Sequence, residues 1–352
     1  MELNANETPG LVCAHHHLYS ALARGMPAPP RTPRTFREIL ELVWWRLDRA
    51  LDLEMLEWSA KLGALEALES GCTAIIDHHE SPNFIEGSLD VLADVCEELG
   101  MRAVLCYGAT ERNGGIDEAR RGLAENRRFL ESNRRELVRG AVGIHASFTV
   151  SDETLRSAGR LAREFGTVVH IHVAEAEADV SDARERGFAG PLDRLLELDA
   201  LPEGSILAHG VHLSEADVAR TAELGLWIVQ NPRSNRGNQV GYPGGLRASR
   251  HVALGTDGYP SDPLDEAEAL LVEAAKYGEP LDRVTERAHA GHALLAERFG
   301  AKGLGTEIRR GYLVVDGREV VKGGRLLTAD VDDIRDGAAR EAMRLWKRIQ
   351  AL

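Results

Sequence analysis

The sequence has few cysteines, and none of them is arranged as a pair. The four cysteines among 352 residues are Cys13, Cys72, Cys96 and Cys106, and no two form a C-x-x-C motif. Three of them lie in or beside apolar, strand-like runs, which is typical of buried thiols that stay reduced. We therefore expect free thiols and a cytoplasmic protein.

The sequence also lacks long apolar runs and an excess of positive charge. No run approaches the roughly 20 apolar residues that span a bilayer, and the N-terminal MELNANETPG has neither the basic segment nor the apolar core of a signal peptide. The formal net charge of −14 argues against a nucleic-acid backbone or an anionic membrane surface as the main partner. We expect a small-molecule substrate and a homo-oligomer, a dimer.

Short apolar runs alternate with helical segments along most of the chain, as expected for a soluble protein that is 43% hydrophobic and 28% charged. Helices are predicted at 37–70, 86–99, 116–135, 151–165 and 214–224, among others. The eight predicted strands lie at 11–17, 72–77, 101–108, 137–148, 167–175, 205–210, 226–231 and 251–258. Because these runs are continuously hydrophobic, they indicate a parallel sheet buried on both faces.

Eight successive βα units predict an α/β fold, a closed (β/α)₈ barrel of the TIM type, over residues 9–300. The alternative is a doubly wound open sheet, but no G-x-G-x-x-G motif follows the first strand. Beyond residue 300 the pattern changes. Residues 312–328 predict a β-hairpin that turns at Asp316-Gly317, and a helix is expected at about 330–350, so residues 306–352 form an appendage.

Three consecutive histidines end the first predicted strand, in LVCAHHHLYS. Side chains alternate between the faces of a strand, so His15 and His17 point one way and His16 points the other. Two imidazoles at i and i+2 suit a divalent metal. Solvated histidines at a polar strand end are the alternative, and this stretch alone leaves both open.

The polar residues at the other strand ends favour a metal site over solvated histidines. In such barrels the chemistry lies at the carboxyl ends of the strands. The residues collected there are His15, His17, Asp77, His78, His79, His145, His170, His172, Glu175, His209, His212, Asn231, Asn235 and Asp257. Nitrogen and oxygen ligands without thiolate suit Zn²⁺, Fe²⁺ or Mn²⁺, and zinc is our preferred ion. Two metal ions in such a site are often bridged by a carboxylated lysine, and no lysine lies at a strand end here. We therefore expect a single metal ion.

The motifs PGLVCAHHHLYSALARGM, GIHASFTVSDETL, HIHVAE, LAHGVHLS, QNPRSN and LGTDG resemble the amidohydrolase superfamily in sequence and order, over about residues 9–300. Within it, the chain resembles the mononuclear aminohydrolase/chlorohydrolase branch. WWRLDRALDLE, IDHHESPN and GSLDVLADV are similar to SsnA-type aminohydrolases. The resemblance implies that the appendage is what remains of a composite β-sandwich, reduced or incomplete here.

The resemblance also implies roles for individual residues. The expected metal ligands are His15, His17, His172 and Asp257. Glu175 would shuttle a proton, His209 would hydrogen-bond the metal-bound water, and Asp257 would accept the proton of that water. The metal would lower the pKa of its water toward about 7, and the resulting hydroxide would attack the ring carbon and release ammonia. His145 and Asn235 match positions that contact substrate.

Other residues have two interpretations each. One of His78 and His79 can face the barrel interior, and we predict that His78 contacts substrate. Arg24, Arg233 and Arg236 lie on loops at the active end, where they either clasp a carbonyl or carboxylate or are solvated. For Trp44 and Trp45 we favour packing over a lid or subunit contact. His170 is expected to be structural and His16 to pack.

These observations predict a metal-dependent deaminase of an amino-substituted nitrogen heterocycle, such as a purine, a pterin or a triazine. A chlorohydrolase or amide hydrolase with the same metal site is one alternative. A non-catalytic barrel that binds or assembles other molecules is the other. His145, in place of the Arg and Phe that hold guanine in guanine deaminases, weakens a guanine assignment.

Overall fold

The structure is a computed structural model that describes residues 7–299, 306–309 and 312–352. Its strands are β1 (Glu7–Pro9), β2 (Leu11–His16), β3 (Cys72–His79), β4 (Arg102–Ala109), β5 (Val138–Gly140), β6 (Val142–Ala146), β7 (Val169–Val173), β8 (Ile206–His209), β9 (Trp227–Gln230), β10 (Val252–Leu254), β11 (Thr306–Arg309), β12 (Tyr312–Val315), β13 (Arg318–Lys322) and β14 (Arg325–Leu326).

The helices surround the strands and alternate with them in sequence. They are α1 (Phe36–Ile39), α2 (Trp45–Ala50), α3 (Leu53–Glu69), α4 (Ser88–Leu99), α5 (Ile116–Ser132), α6 (Asp152–Glu164), α7 (Glu177–Glu185), α8 (Pro191–Glu197), α9 (Glu215–Glu223), α10 (Pro232–Gly237), α11 (Pro263–Lys276), α12 (Leu281–Phe299) and α13 (Val331–Ala351). In the described part of the chain, no helix is long and apolar enough to cross a membrane.

The large sheet confirms the predicted (β/α)₈ barrel. Its strands pair in parallel in the order β2-β3-β4-β6-β7-β8-β9-β10, with β5 pairing to β4. A parallel bridge between His16 and Asp257 joins the first strand to the segment after the last, so the barrel is nearly closed. The open doubly wound sheet is therefore excluded. Closure brings the ends of β2 and β10 together, where the site lies.

A small antiparallel sheet stands beside the barrel, in the order β1-β11-β12-β13-β14. The predicted hairpin is present, because β12 and β13 pair around the Asp316-Gly317 turn. Strand β1 was not predicted from the sequence, and it pairs with β11. Leu313, Val320 and Leu345 of the appendage share one hydrophobic cluster with Ile75 and Leu105 of the barrel. The predicted boundary at 300–306 falls largely on residues 300–305, outside the described residues.

Two predicted elements are divided in the structure. The helix expected over 37–70 is interrupted because Leu51 is extended and the Asp52 side chain caps the next helix, accepting from the Met55 amide at 3.0 Å. A π-helical turn over Leu40–Trp44 also precedes α2. The strand expected over 137–148 is split into β5 and β6. The four cysteines are buried and unpaired, as predicted.

Candidate active site

Four side chains from three parts of the chain converge at the carboxyl end of the barrel. Asp257 Oδ1 lies 3.2 Å from His15 Nε2 and 2.9 Å from His17 Nε2. His172 Nε2, from β7, lies 3.3 Å from His17 Nε2. All four residues are buried. The structure therefore brings together the complete set of predicted metal ligands.

The imidazoles are oriented by partners on their outer nitrogens. His17 Nδ1 lies 2.6 Å from the carbonyl oxygen of His78, and His172 Nδ1 lies 2.5 Å from that of His145. A carbonyl oxygen only accepts, so each Nδ1 carries a proton, and in a neutral ring the Nε2 then presents a lone pair to the cluster. Two such lone pairs facing each other at 3.3 Å would repel, and either a proton on one nitrogen or a cation between the two removes that repulsion.

His209 adds a fifth donor to the cluster. One ligand atom each from His15, His172, His209 and Asp257 lies within 4.8 Å of the other three. His209 Nδ1 is 2.8 Å from Asn235 Oδ1, whereas its Nε2 is buried and has no hydrogen-bond partner among the described residues. This donor set of imidazole nitrogens and one carboxylate fits a divalent metal ion of the zinc type.

The electrostatics of the cluster also favour a positive charge. Burial lowers the pKa of His17, but the hydrogen bond and charge of Asp257 outweigh this effect and raise that pKa to about 9. Burial lowers the pKa of His172 to about 3, with the charge of His17 acting in the same direction. Without a metal the cluster holds a proton on His17. A metal ion would have to displace that proton, because a metal ligand must be a neutral imidazole.

The backbone is strained where these strands end. Ala174, His209 and Asp257 have positive φ angles of 52°, 76° and 53°, which side chains with a Cβ rarely adopt. The turn at Ala174 is held because its amide donates to a carboxylate oxygen of the buried Asp179. Glu175 follows directly, so this turn determines where its carboxyl group points.

Glu175 lies beside the cluster and approaches it through His209, not through the four expected metal ligands. Its Oε2 is 3.6 Å from His209 Nε2, and its Oε1 accepts from Asn238 Nδ2 at 3.3 Å. Burial raises the pKa of Glu175 to about 7, an effect that the charge of His209 opposes and that of Asp257 reinforces. The carboxyl group can therefore exchange a proton near neutral pH.

A pocket opens over this cluster, with about 520 Å³ of empty space, part of which is open to solvent. His17, His172, Asp257 and Glu175 form its polar base. Its remaining lining includes Tyr19, Phe36, Leu40, Trp44, Trp45, Glu80, His145, Phe148 and Asn238. Such aromatic walls around a few convergent polar groups suit a flat organic substrate.

Comparisons with known proteins agree with this geometry. The model of the Amidohydrolase family matches residues 8–295. The chain belongs to the amidohydrolase family. It is 28% identical to the 5'-deoxyadenosine deaminase of Methanopyrus kandleri over 96% of this chain and 86% of the relative. It is 31% identical to the 8-oxoguanine deaminase of Pseudomonas aeruginosa over 81% of this chain and 67% of the relative.

A solved structure shows the same fold. The zinc-bound adenosine deaminase from Xanthomonas campestris superposes with a TM-score of 0.81 at 22% identity, over 98% of this chain and 86% of that one. The match to the Amidohydrolase family and the deaminase relatives make this amidohydrolase a hydrolase of the class that acts on carbon–nitrogen bonds. The His/Asp cluster is where the fold would hold a metal ion.

Three predicted substrate contacts lie elsewhere in the amidohydrolase structure. Asn235 does not line the pocket. Its side chain hydrogen-bonds Nδ1 of His209, the ring nitrogen opposite the one that faces the cluster. His78 is fully buried below the pocket, with Nε2 3.0 Å from the Ile144 carbonyl oxygen. Arg24 lies outside the pocket and pairs with Glu66 at 2.6 Å. These placements argue against direct substrate contact by any of the three.

The remaining strand-end residues have supporting positions. His170 Nε2 is 2.9 Å from His15 Nδ1, one layer deeper, and His16 Nδ1 is 2.8 Å from the Thr256 hydroxyl. The others are engaged away from the pocket: Asp77 with the Leu18 amide, His79 with Ser81, Asn231 beside His209, His212 with Glu177, Arg233 with Glu266 and Arg236 with Glu273.

Several residues of the amidohydrolase pocket were missed or interpreted differently from the sequence. Trp44 and Trp45 both line it, although Trp44 also packs against the core. Glu80 lies on the pocket wall, 2.6 Å from Arg112 Nη2 and 3.7 Å from His145 Nε2. Burial raises its pKa to about 7, although Arg112 opposes the shift. An acidic residue directly after DHH at the end of β3 was the signal that could have identified it.

Proposed function

We propose that this amidohydrolase is a hydrolytic deaminase of an amino-substituted nitrogen heterocycle, a purine, pterin or triazine, and that it belongs with the SsnA-type aminohydrolases. The observation that carries the proposal is the position of Glu175. Its carboxyl group lies at the base of the pocket, beside the His/Asp cluster, with a pKa near 7. The deaminase names of the two relatives support the same reaction class.

Four residues would hold one divalent ion, for which we propose zinc. His15, His17 and His172 would bind it through Nε2, and Asp257 would bind it through a carboxylate oxygen. When bound, such an ion acidifies a water molecule and so supplies the nucleophile. His209 Nε2, which has no partner among the described residues, is then free to accept a hydrogen bond from that water.

The chain's own acid and base residues would move the protons. Asp257 Oδ2 accepts from the Ser234 hydroxyl at 2.5 Å, which orients the carboxylate so that it can take a proton from the attacking water. Glu175 would deliver a proton to the ring nitrogen next to the attacked carbon. In the collapse of the tetrahedral intermediate, the exocyclic amino group would take the proton held by Asp257 and leave as ammonia as its bond to the ring carbon breaks. The hydroxyl would return a proton to Glu175, and the ring carbon would become a carbonyl.

The pocket walls suit a flat ring with hydrogen-bonding edges. Trp44, Trp45 and Phe148 provide aromatic faces, and Glu80 and His145 provide polar groups on one wall. Burial lowers the pKa of His145 well below its usual range, and the charge of Arg112 acts in the same direction, so its ring is neutral. A neutral imidazole can accept from, or donate to, a ring nitrogen.

An ammonia-release screen tests the proposal. The metal-loaded protein is incubated with amino-purines, pterins, pyrimidines and triazines, with chloride release measured in parallel for chlorotriazines. We expect ammonia from one of these classes, and a much lower rate from Glu175→Gln at equal metal content. Chloride release without ammonia would replace the proposal with the chlorohydrolase alternative. No turnover of any compound by protein of full metal content would contradict the proposal.

We also propose that the protein works as a cytoplasmic homodimer on a small-molecule substrate. The buried, unpaired cysteines support the cytoplasmic location, and the net charge of −14 supports a small-molecule substrate over a nucleic acid. Sedimentation of the purified protein tests the dimer, which a monomer at all concentrations would contradict.

A further inference from the structure

Glu80 is a second carboxyl group on the wall of the catalytic pocket, besides Glu175. It follows β3 directly, and its side chain is 4% exposed. A carboxyl oxygen of Glu80 lies within 4.8 Å of a ring nitrogen of His172, one of the expected metal ligands. A heterocycle bound over the cluster would therefore lie within reach of Glu80, although no proton transfer of the proposed reaction uses this residue.

The two oxygens of Glu80 have different surroundings. Oε2 accepts from Arg112 Nη2 at 2.6 Å, and the same nitrogen lies 2.8 Å from Asp48 Oδ2. Oε1 lies 3.6 Å from His78 Nδ1 and 3.7 Å from His145 Nε2, and both distances are too long for a hydrogen bond. Arg112 thus fixes one oxygen of Glu80 and leaves the other without a partner among the described residues.

His145 offers a second acceptor on the same wall. Its Nδ1 lies 2.9 Å from the Thr149 hydroxyl, which donates its single hydrogen to the Ala146 carbonyl oxygen at 3.0 Å. That hydroxyl therefore faces His145 as an acceptor, so Nδ1 carries the proton of the neutral ring. Nε2 of His145 is left with a lone pair, and no described residue donates to it.

Both acceptors open into the pocket. Glu80 Oε1 and His145 Nε2 are unpaired without being enclosed by protein, whereas Nδ1 of His78 is unpaired and enclosed. The charges at this wall also favour a donor, because one cation, Arg112, is shared by two carboxyl groups, those of Asp48 and Glu80. Polar groups in the interior of native proteins are almost always paired with protein, water or ligand. Two acceptors 3.7 Å apart therefore indicate N–H donors of a ligand as their partners.

The other polar side chains of this wall do not supply those donors. The indole nitrogen of Trp45 is enclosed, and the Asn238 amide donates to Glu175 at 3.3 Å. Tyr19 and Trp44 also line the pocket, and within the described part of the chain neither hydrogen-bonds to either acceptor. The place between the two acceptors is thus open to a substrate.

We propose that Glu80 and His145 determine the substrate class, by binding a second amino group on a heterocycle that carries two. One N–H of that amino group would donate to Glu80 Oε1 and the other to His145 Nε2. A ring carbonyl at that place would oppose acceptors with an acceptor, and a bare C–H would leave both acceptors unpaired. The preferred substrate would thus be a diamino-substituted ring, of which the reaction removes one amino group. This inference rests on the proposed function for the reaction, whereas the binding preference can be measured without turnover.

The test compares two probes that differ only in this amino group, isocytosine (2-amino-4-pyrimidinone) and 4-pyrimidinone. Their binding to the metal-loaded protein is measured by calorimetry at about pH 8, where Glu80, with a pKa of about 7, is mostly ionised. We expect isocytosine to bind at least about tenfold more tightly than 4-pyrimidinone. Equal affinity of the wild type for the two probes would overturn the proposal, and this comparison needs no variant.

Two variants assign the preference to the two residues. In Glu80→Gln the amide oxygen must face Arg112, because a guanidinium group only donates, so an NH₂ group replaces the acceptor that faces the pocket. This change should weaken isocytosine binding at least about tenfold and leave 4-pyrimidinone binding and the metal content nearly unchanged. His145→Phe keeps a ring but removes the accepting nitrogen, and should also weaken isocytosine binding. Glu86→Gln is the matched control, since Glu86 pairs with Arg121 outside the pocket, and it should change neither affinity.

The remaining outcomes separate this inference from the proposed function. Unchanged isocytosine binding in Glu80→Gln would overturn the inference. Loss of metal in that variant would also overturn it, because Glu80 would then be a metal ligand. A deaminase that prefers rings with a single amino group would refute the inference and leave the proposed function intact. An ammonia screen without turnover would refute the proposed function and leave the measured binding preference as it is.

Discussion

The substitution Asp77→Asn should stabilise this protein, and increasingly so as the pH rises. Asp77 is fully buried at the end of β3. One carboxyl oxygen accepts from the Leu18 amide at 2.6 Å, and the other has no partner among the described residues. Burial raises the pKa of Asp77 from 3.8 to about 7, although the Leu18 hydrogen bond and the charge of His17 oppose the shift. Asparagine has the same shape and still offers an oxygen to Leu18.

The sign and the size of this pH-dependent stabilisation follow from proton linkage. The folded state holds a proton on Asp77 at pH values where the unfolded state has lost it, so the free energy of unfolding falls as the pH rises from about 4 to about 7 and is constant above that. One pKa unit corresponds to about 1.4 kcal/mol. Between about pH 5 and pH 8, the advantage of Asp77→Asn should therefore grow by about 2–3 kcal/mol.

Urea denaturation followed by tryptophan fluorescence measures this difference. Wild type and Asp77→Asn are compared at each pH from about 5 to about 8, so that the titration of every other group cancels. Asp336→Asn, on the exposed face of α13, is the control for the same chemical change at a carboxyl group that is not buried. A constant difference for Asp77→Asn, or one that shrinks with rising pH, would refute the reasoning.

Three further predictions concern the site. His15→Ala should lose most of the bound metal and His16→Ala should retain it, as measured by metal analysis; equal loss in both would place His16 in the coordination sphere. Glu175→Gln should keep the metal and lower kcat about 10²–10⁴-fold, and near-normal turnover would exclude the proton shuttle. Trp45→Ala should raise KM about five- to tenfold with little change in kcat, because it removes an aromatic wall. An unchanged KM would show that substrate does not contact this indole.

The barrel could be predicted because its signals are local. Most barrel strands are largely apolar runs. Ser151 before α6 and Asp316-Gly317 in the hairpin act through neighbouring backbone groups. Strand β1 carries no such signal. Its three residues form a strand only because β11, about 300 residues further along the chain, lies beside them. Pairing at that separation depends on the whole fold and has no local pattern.

The metal cluster could be predicted for a related reason, whereas the substrate contacts could not. His15 and His172 lie in barrel strands, which determine the direction of their side chains, whereas Asp257 lies three residues past β10 and is brought to them by the bridge to His16 that nearly closes the barrel. Arg24 lies in a loop and Asn235 lies in the short helix α10, so strand geometry does not determine where either side chain points. Arg24 forms an ion pair with Glu66, and Asn235 forms a hydrogen bond with His209.

The convergence of His15 and His17 depends on more than strand alternation. Strand β2 ends at His16, and His17 already has the backbone angles of the following turn, φ −128° and ψ 86°. Alternation alone therefore does not determine where its ring lies. The ring is held by the carbonyl of His78 at one nitrogen and by Asp257 at the other, and the next amide, that of Leu18, is bound by Asp77. The end of β3 thus positions His17, through the carbonyl of His78 and the carboxyl group of Asp77. Asp77 is also the buried acid whose ionisation lowers the free energy of unfolding.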